Sequence, residues 1–166
     1  MSNFIKLLIL AFIIQTGCKQ DNAKSLSTKD VVTKTNEPTG PEIPGVPQDV
    51  MVKMLNECTS VDYIFHVLPF SLSQDEDPSV DQNIGFIDIN RPLGRIPSNC
   101  KKADARKFFK IKSDVVYDVD VYVTNNCKFY VFVDKNNKPI FANYMTQAGI
   151  NFYDNIFKQA SGMSQQ

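Results

Sequence analysis

Few residues of this 166-residue chain have side chains that could carry out chemistry: there is one histidine, His66, and there are four cysteines. Cys58 and His66 could act as a nucleophile and its base, but His66 lies in the apolar run 63–68. A lone histidine in such a run is usually a packed residue with one hydrogen bond, which is the interpretation we favour. One imidazole also cannot build the common catalytic zinc sites that use two or more. We therefore expect no catalytic residue, no metal and no cofactor.

Apart from Cys18, the chain has three cysteines: Cys58, Cys100 and Cys127. In an oxidising compartment, two of these three residues should pair and the third should stay reduced. We predict a Cys58–Cys100 disulfide, because Cys127 falls on the apolar face of an alternating strand. The three cysteines and His66 could hold zinc in principle, but the absence of a close Cys-x-x-Cys pair argues against that interpretation.

An acidic stretch at 74–81 contains carboxylates that could bind calcium through their oxygen atoms. It lacks the glycine and the closing glutamate of the twelve-residue calcium loop. The alternative is a solvated acidic turn whose charges favour the N-terminus of a helix, and we prefer it. The residues concerned are Asp75, Glu76, Asp77 and Asp81.

A basic stretch follows, with eight basic residues between positions 91 and 112 against one acid, Asp104. One interpretation is a surface that binds an acidic protein, an anionic glycan or lipid headgroups. The alternative is a solvated strand edge that uses lysine to prevent edge-to-edge pairing. The net charge of the whole chain is zero, so bulk electrostatics predict no nucleic-acid partner. The candidate binding residues are Arg91, Arg95, Lys101, Lys102 and Arg106.

Residues 1–17 have the pattern of a secretory signal peptide. Lys6 lies near the start, and the apolar run 7–14 follows it. This run is too short to cross a bilayer, which requires roughly 20 residues. The segment therefore directs export and is expected to be removed.

The end of this signal, Gln15-Thr16-Gly17-Cys18, resembles the lipobox of bacterial lipoproteins, in which an aliphatic residue usually stands at the position of Gln15. The resemblance implies that Cys18 receives diacylglycerol and that the chain is cut before it. Lipid on the cysteine would then hold the protein on a membrane of the cell envelope. Lys19 follows the cysteine, and no aspartate is present there to indicate retention at the inner membrane, so we expect the outer membrane.

Residues 18–47 are predicted to form the lipidated cysteine and a flexible, Pro-rich linker, because no periodic apolar pattern runs through them. Residues 48–162 then form one α+β domain. We expect an antiparallel four-stranded meander packed against two or three helices, with the tether before it disordered. The strands are predicted at 106–112, 115–123, 127–133 and 140–144, and the helices at 48–58, 77–87 and 146–159.

Asn125-Asn126 separates two alternating runs and predicts a tight hairpin turn. The segment 61–68 fits a strand or a helix equally well. The mature domain, with its Tyr63-Ile64-Phe65 run, resembles small envelope lipoproteins of uncharacterised activity.

We predict a non-enzymatic interaction module from four features together: the lipid anchor, the spacer, the compact domain and the absence of a catalytic pattern. It would bind a protein or a glycan through its sheet face or its basic loop. Two alternatives stay open at this point. One is an envelope enzyme that uses His66, Cys58 or the acids at 75–81, and the other is a periplasmic inhibitor or immunity protein.

Overall fold

The computed structural model describes residues 40–163, so the predicted signal peptide, Cys18 and the linker up to residue 39 lie outside the described residues. The fold of the described part is α+β, with three helices and a seven-stranded antiparallel sheet. None of these helices is both long and apolar enough to cross a bilayer. The elements are α1 Gln48–Glu57, β1 Ser60–Phe65, β2 Ser71–Gln74, α2 Asp77–Ile84, β3 Ile87–Pro92, β4 Ala105–Ile111, β5 Asp114–Tyr122, β6 Phe129–Val133, β7 Pro139–Met145 and α3 Gln147–Met163.

The predicted meander forms the middle of a wider sheet whose strand order is β2-β1-β4-β5-β6-β7-β3. Strands β4 to β7 are consecutive antiparallel neighbours, as the alternating runs predicted. The ambiguous segment 61–68 begins within β1, which pairs with β4. The short strand β2 and the strand β3 lie at the two edges and were not predicted.

The turn between β5 and β6 is built as its sequence predicted. Asn125 and Asn126 have φ angles of 53° and 62°, in the left-handed region that asparagine tolerates better than most residues. The amide of Cys127 donates to the carbonyl oxygen of Thr124 at 2.8 Å and closes the turn. This geometry brings β5 and β6 together in register.

The two faces of the sheet are covered by different material. The first, which we call the helix face, packs against α1, α2 and α3 through residues that include Met54, Ile84 and Tyr153. The second, which we call the loop face, is covered over β6 and β7 by the segment 93–103 and by Ile43. All five residues of β6 are buried, because this strand contributes side chains to both layers.

The packed domain begins earlier than the predicted boundary at residue 48. Ile43 and Val46 are buried, and the amide of Ile43 donates to the carbonyl oxygen of Gly94 at 2.6 Å. The amide of Val46 donates to Oδ1 of Asn143 at 2.7 Å. The prediction that the linker extends to residue 47 is therefore wrong for its last residues. Because residues 40–47 are rich in proline and glycine, the sequence pattern did not reveal that Ile43 and Val46 pack into the domain.

Candidate functional site

The predicted Cys58–Cys100 disulfide is wrong, because Cys100 is bonded to Cys127, with 6.0 Å between their Cα atoms. Cys127 is buried with the apolar residues of the loop face, as predicted, but it precedes β6 and sits at the end of the 124–127 turn. There it faces the segment that crosses over the sheet. The bond joins this turn to the covering segment.

Cys58 is the unpaired cysteine of the described residues and follows the C-terminus of α1. It is half-buried, and burial, together with the neighbouring Glu57, raises the pKa of its thiol to about 11. His66 lies beyond the other end of β1, so the six residues of that strand separate the two side chains. Cys58 and His66 therefore do not form the nucleophile and base pair considered above.

His66 makes the single hydrogen bond expected of it, from the ring Nδ1 to the carbonyl oxygen of Ala103 at 2.9 Å. It is exposed rather than packed. The apolar run ends in a bend after Phe65, which turns His66 and Val67 toward solvent. The backbone amide of His66 also donates to the carbonyl oxygen of Asp104 at 2.9 Å. Both bonds attach the end of β1 to the segment before β4.

The acidic stretch lies where β2 leads into α2. Asp75 and Glu76 are exposed, Asp77 begins the helix and Pro78 lies in its first turn. Within the described part of the chain, no three histidine, cysteine or acidic side chains come together as metal ligands. The position before the helix agrees with the interpretation of a solvated turn that favours a helix N-terminus.

Two of the five predicted basic residues already have partners. The Arg106 guanidinium donates from Nε to Asp120 Oδ1 at 2.8 Å and from Nη1 to Asn137 Oδ1 at 2.8 Å. Arg91 lies 4.7 Å from the ring centre of Tyr144 and makes a long ion pair with Asp88 at 4.0 Å. These two cations are therefore partly neutralised within the domain.

The other three predicted basic residues, Arg95, Lys101 and Lys102, are exposed. Within residues 40–163, no carboxylate lies within 4.0 Å of any of their charged groups. All three belong to the segment that covers the loop face. The unpaired positive charge of the predicted surface is thus concentrated on this segment.

Lys101 and Lys102 line a cavity of about 310 Å³ between the covering segment and the 124–127 turn. The cavity is at the lower end of the size range, about 300–1,000 Å³, that small-molecule sites occupy. Its wall combines the two lysines with polar side chains, both disulfide cysteines and the apolar Val67. The polar residues are Asn99, Asp104, Thr124 and Asn125.

Asp104 holds the wall of this cavity in place. Its Oδ2 accepts the backbone amides of Val123 at 2.7 Å and Thr124 at 2.9 Å, and its Oδ1 accepts the Thr124 hydroxyl at 2.8 Å. These three bonds satisfy a carboxylate that is only 7% exposed. The carboxylate therefore acts as a structural acceptor for the end of β5.

A second depression, of about 490 Å³, lies on the uncovered part of the loop face between β2 and β5. Ile64 and Val115 are each about half exposed there, at 52% and 50%. Val115 and Tyr117 are two residues apart along β5 but lie on opposite faces, because the register shifts between Phe109 and Lys110 of β4. The flank of this depression is polar and includes Asp62, Ser71 and Ser73.

The helix face contains a group of polar residues that the sequence did not predict. Lys107 is fully buried, its Nζ lies 4.3 Å from the ring centre of Tyr130, and it donates to the carbonyl oxygen of Asn83 at 3.3 Å. Burial without a carboxylate lowers the pKa of Lys107 to about 7. The hydroxyl groups of Tyr63, Tyr130 and Tyr153 are buried nearby without a hydrogen bond of good geometry.

This burial overturns the interpretation of the basic stretch as a strand edge protected by lysine. Strand β4, which carries Lys107, lies between β1 and β5 and is not an edge. The alternation of the strand offered a signal, because Lys107 lies between Ala105 and Phe109 on the inward face. A charged residue at an inward position is rare enough that the pattern alone did not suggest it.

Comparisons of this chain with known protein families, with curated proteins and with solved structures found no match.

Proposed function

We propose that this chain is a lipid-anchored protein of the bacterial cell envelope, attached at the outer membrane through Cys18. Its folded domain would act as a non-enzymatic binding module for an acidic protein or an anionic glycan. The observation that carries the binding part of the proposal is the position of Arg95, Lys101 and Lys102 on one covering segment, where all three are exposed and have no carboxylate partner among residues 40–163.

The covering segment supports a binding role because several bonds hold it to the sheet. The disulfide fixes Cys100, the bridge to Ile43 fixes Gly94, and the Asp104 carboxylate fixes the end that leads into β4. A surface that is ordered before its ligand arrives loses less conformational entropy on binding. Unpaired cations on such a surface would also increase the rate of encounter with an anionic partner.

The enzyme alternative loses its best candidate pair, because the length of β1 separates Cys58 from His66. The raised pKa of Cys58 also keeps its thiol protonated at neutral pH, which is unfavourable for a nucleophile. A binding role requires neither group.

Mass spectrometry of the mature amino terminus tests the anchor. We expect the chain to begin at Cys18 and to carry the mass of diacylglycerol. A Cys18→Ala variant should leave the membrane fraction, because nothing then inserts into the bilayer. If this variant fractionates with membranes as the wild type does, the anchor is wrong.

Crosslinking in intact envelopes tests the binding role. The triple variant Arg95→Gln, Lys101→Gln, Lys102→Gln should lose partners that the wild type captures. Lys53→Gln removes one exposed cation from α1, on the other side of the sheet, and should keep them. Equal capture by the wild type and the triple variant would contradict the role of the covering segment.

A further inference from the structure

We propose that the cavity between Lys101, Lys102 and the 124–127 turn binds an acidic sugar, specifically a uronate unit of an anionic glycan. This inference rests on the proposed binding function and names the class of ligand and the place where it binds. It starts from the joint presence, in one concave site, of two asparagines, the apolar side chain of Val67 and two lysines that have no ion-pair partner in the described part of the chain.

The lysines would recognise the carboxylate. Each ammonium group has three donors and no acceptor, so an anionic oxygen is its natural partner. The site also contains the carboxylate of Asp104, but the amides of Val123 and Thr124 and the Thr124 hydroxyl already occupy its oxygens. The site contains two lysines and one aspartate that is already hydrogen-bonded within the domain, so its net charge is positive.

The asparagines would recognise sugar hydroxyls. Asn99 and Asn125 line the same cavity, and an amide offers both donors and acceptors, which suits hydroxyl groups. Asn99 is held in place because its Nδ2 donates to the carbonyl oxygen of Asn125 at 3.2 Å. Val67, which is 58% exposed, adds an apolar wall against which the carbon face of a ring could pack.

The backbone around the cavity favours a glycan over an acidic peptide. Extended peptides are commonly held by main-chain hydrogen bonds along an open strand edge. The cavity is walled by the 99–104 segment and the 124–127 turn, and the neighbouring strands β4 and β5 are paired on both sides. A ligand here cannot add a strand to an open edge, and a compact polyhydroxylated ring suits the polar side chains of the cavity.

Calorimetric titration of the full-length protein tests the proposal, with trigalacturonate as the probe and neutral galactotriose as its uncharged counterpart. We expect the wild type to bind trigalacturonate, and to bind galactotriose at least about tenfold more weakly. Adding salt should weaken trigalacturonate binding, because counterions screen the attraction between the lysine ammonium groups and the carboxylate of the sugar. Equal binding of the two sugars would overturn the proposal.

Variants of the two lysines provide the second arm. Lys101→Gln with Lys102→Gln should weaken trigalacturonate binding by about tenfold or more. Lys101→Arg with Lys102→Arg keeps the charge and should retain most of the binding, and Lys53→Gln should leave it within about twofold of wild type. If the glutamine pair binds as the wild type does, or if hexaglutamate binds more tightly than trigalacturonate, the assignment to an acidic sugar is wrong.

The failure of this inference can be distinguished from the failure of the proposed anchor. A Cys18→Ala chain released from the membrane should bind trigalacturonate as the lipidated chain does, because the cavity is built from residues 67–127. A chain that is lipidated and does not bind the sugar would overturn the inference and leave the anchor standing.

Discussion

The helix face and the loop face share strand β6, yet the material that covers them differs. On the helix face, three helices bury aromatic and aliphatic side chains over the width of the sheet. On the loop face, a segment without regular secondary structure covers part of the sheet and is fixed there by a disulfide. The uncovered remainder of that face carries ion pairs and the depression near Val115.

The difference separates stability from binding within one small sheet. The helix face buries large side chains and therefore provides most of the hydrophobic free energy. The loop face buries less but presents the unpaired cations and the cavity. A covering segment held by one covalent bond and a few hydrogen bonds can change its exposed residues with little effect on the packed layer.

Substitutions on the two faces should differ most in their loss of unfolding free energy when both are made within β6. Phe132 is fully buried on the helix face, and Val131 is 1% exposed on the loop face. Phe132→Ala should lower the free energy of unfolding by about 3–5 kcal/mol, because it removes a whole ring from a packed layer. Val131→Ala should cost about 2 kcal/mol. Urea unfolding followed by circular dichroism measures both, and equal losses would contradict the comparison.

The next largest effect should come from the disulfide. Cys100→Ser with Cys127→Ser opens a loop whose ends are 27 residues apart and should lower the free energy of unfolding by about 3 kcal/mol. Hydrogen exchange should increase most in the covering segment, because that segment loses its covalent attachment. Cys58→Ser is the control, since Cys58 is unpaired and its loss should leave that exchange unchanged.

Much of the sheet could be predicted from the sequence, for physical reasons that particular residues show. Val119 and Val121 alternate with Asp118 and Asp120, so burial on one face determined β5. Strand β2 has one apolar residue, Leu72, among four, and its pairing is decided by β1 rather than by its own pattern.

A smaller, pH-dependent effect should come from Lys107. Its pKa is about 7 in the folded protein and near 10.5 in the unfolded chain, so between these values the unfolded chain binds more protons. Stability should therefore rise by about 2 kcal/mol between pH 7 and 9, at up to about 1.4 kcal/mol per unit, and this gain should be lost as pH falls to 7. The groups that face Lys107 are Tyr63, the rings of Phe109 and Tyr130, and the carbonyl oxygen of Asn83, and none supplies a carboxylate.

Lys107→Met removes the titrating group and provides the control. At pH 7 the variant should be more stable than the wild type by about 2 kcal/mol, because a buried ammonium no longer has to be desolvated. Its stability should change little between pH 7 and 9. Unfolding curves at several pH values test this, and parallel pH profiles for the two proteins would refute the assignment.

The smallest effect should come from an ion pair on the loop face. Arg106 and Asp120 are about 26% and 17% exposed and face water on the uncovered part of the sheet. Asp120→Asn should lower stability by about 0.5–1 kcal/mol, since such pairs are screened. A loss as large as that of Phe132→Ala would mean that this face is stabilised by charge rather than by its cover.

The candidate site was only partly predictable, because its parts come from distant segments. The sequence identified Lys101 and Lys102 through the density of positive charge. It did not predict that Thr124 and Asn125 would form the opposite wall, because their proximity depends on the Cys100–Cys127 bond and on the hydrogen bonds of Asp104. Disulfide pairing depends on three-dimensional distance, which spacing along the chain does not encode.

The half-buried position of Cys58 has a consequence for how this protein matures. Thiol–disulfide exchange proceeds through the thiolate, and a pKa near 11 instead of 9.0 lowers the thiolate population by about a hundredfold at neutral pH. Once α1 has packed, Cys58 is therefore a slow attacker of the Cys100–Cys127 bond, and scrambled isomers should not accumulate. Iodoacetamide should alkylate Cys58 slowly in the native protein and fast in protein unfolded by urea. This difference would demonstrate that packing suppresses the reactivity of the thiol.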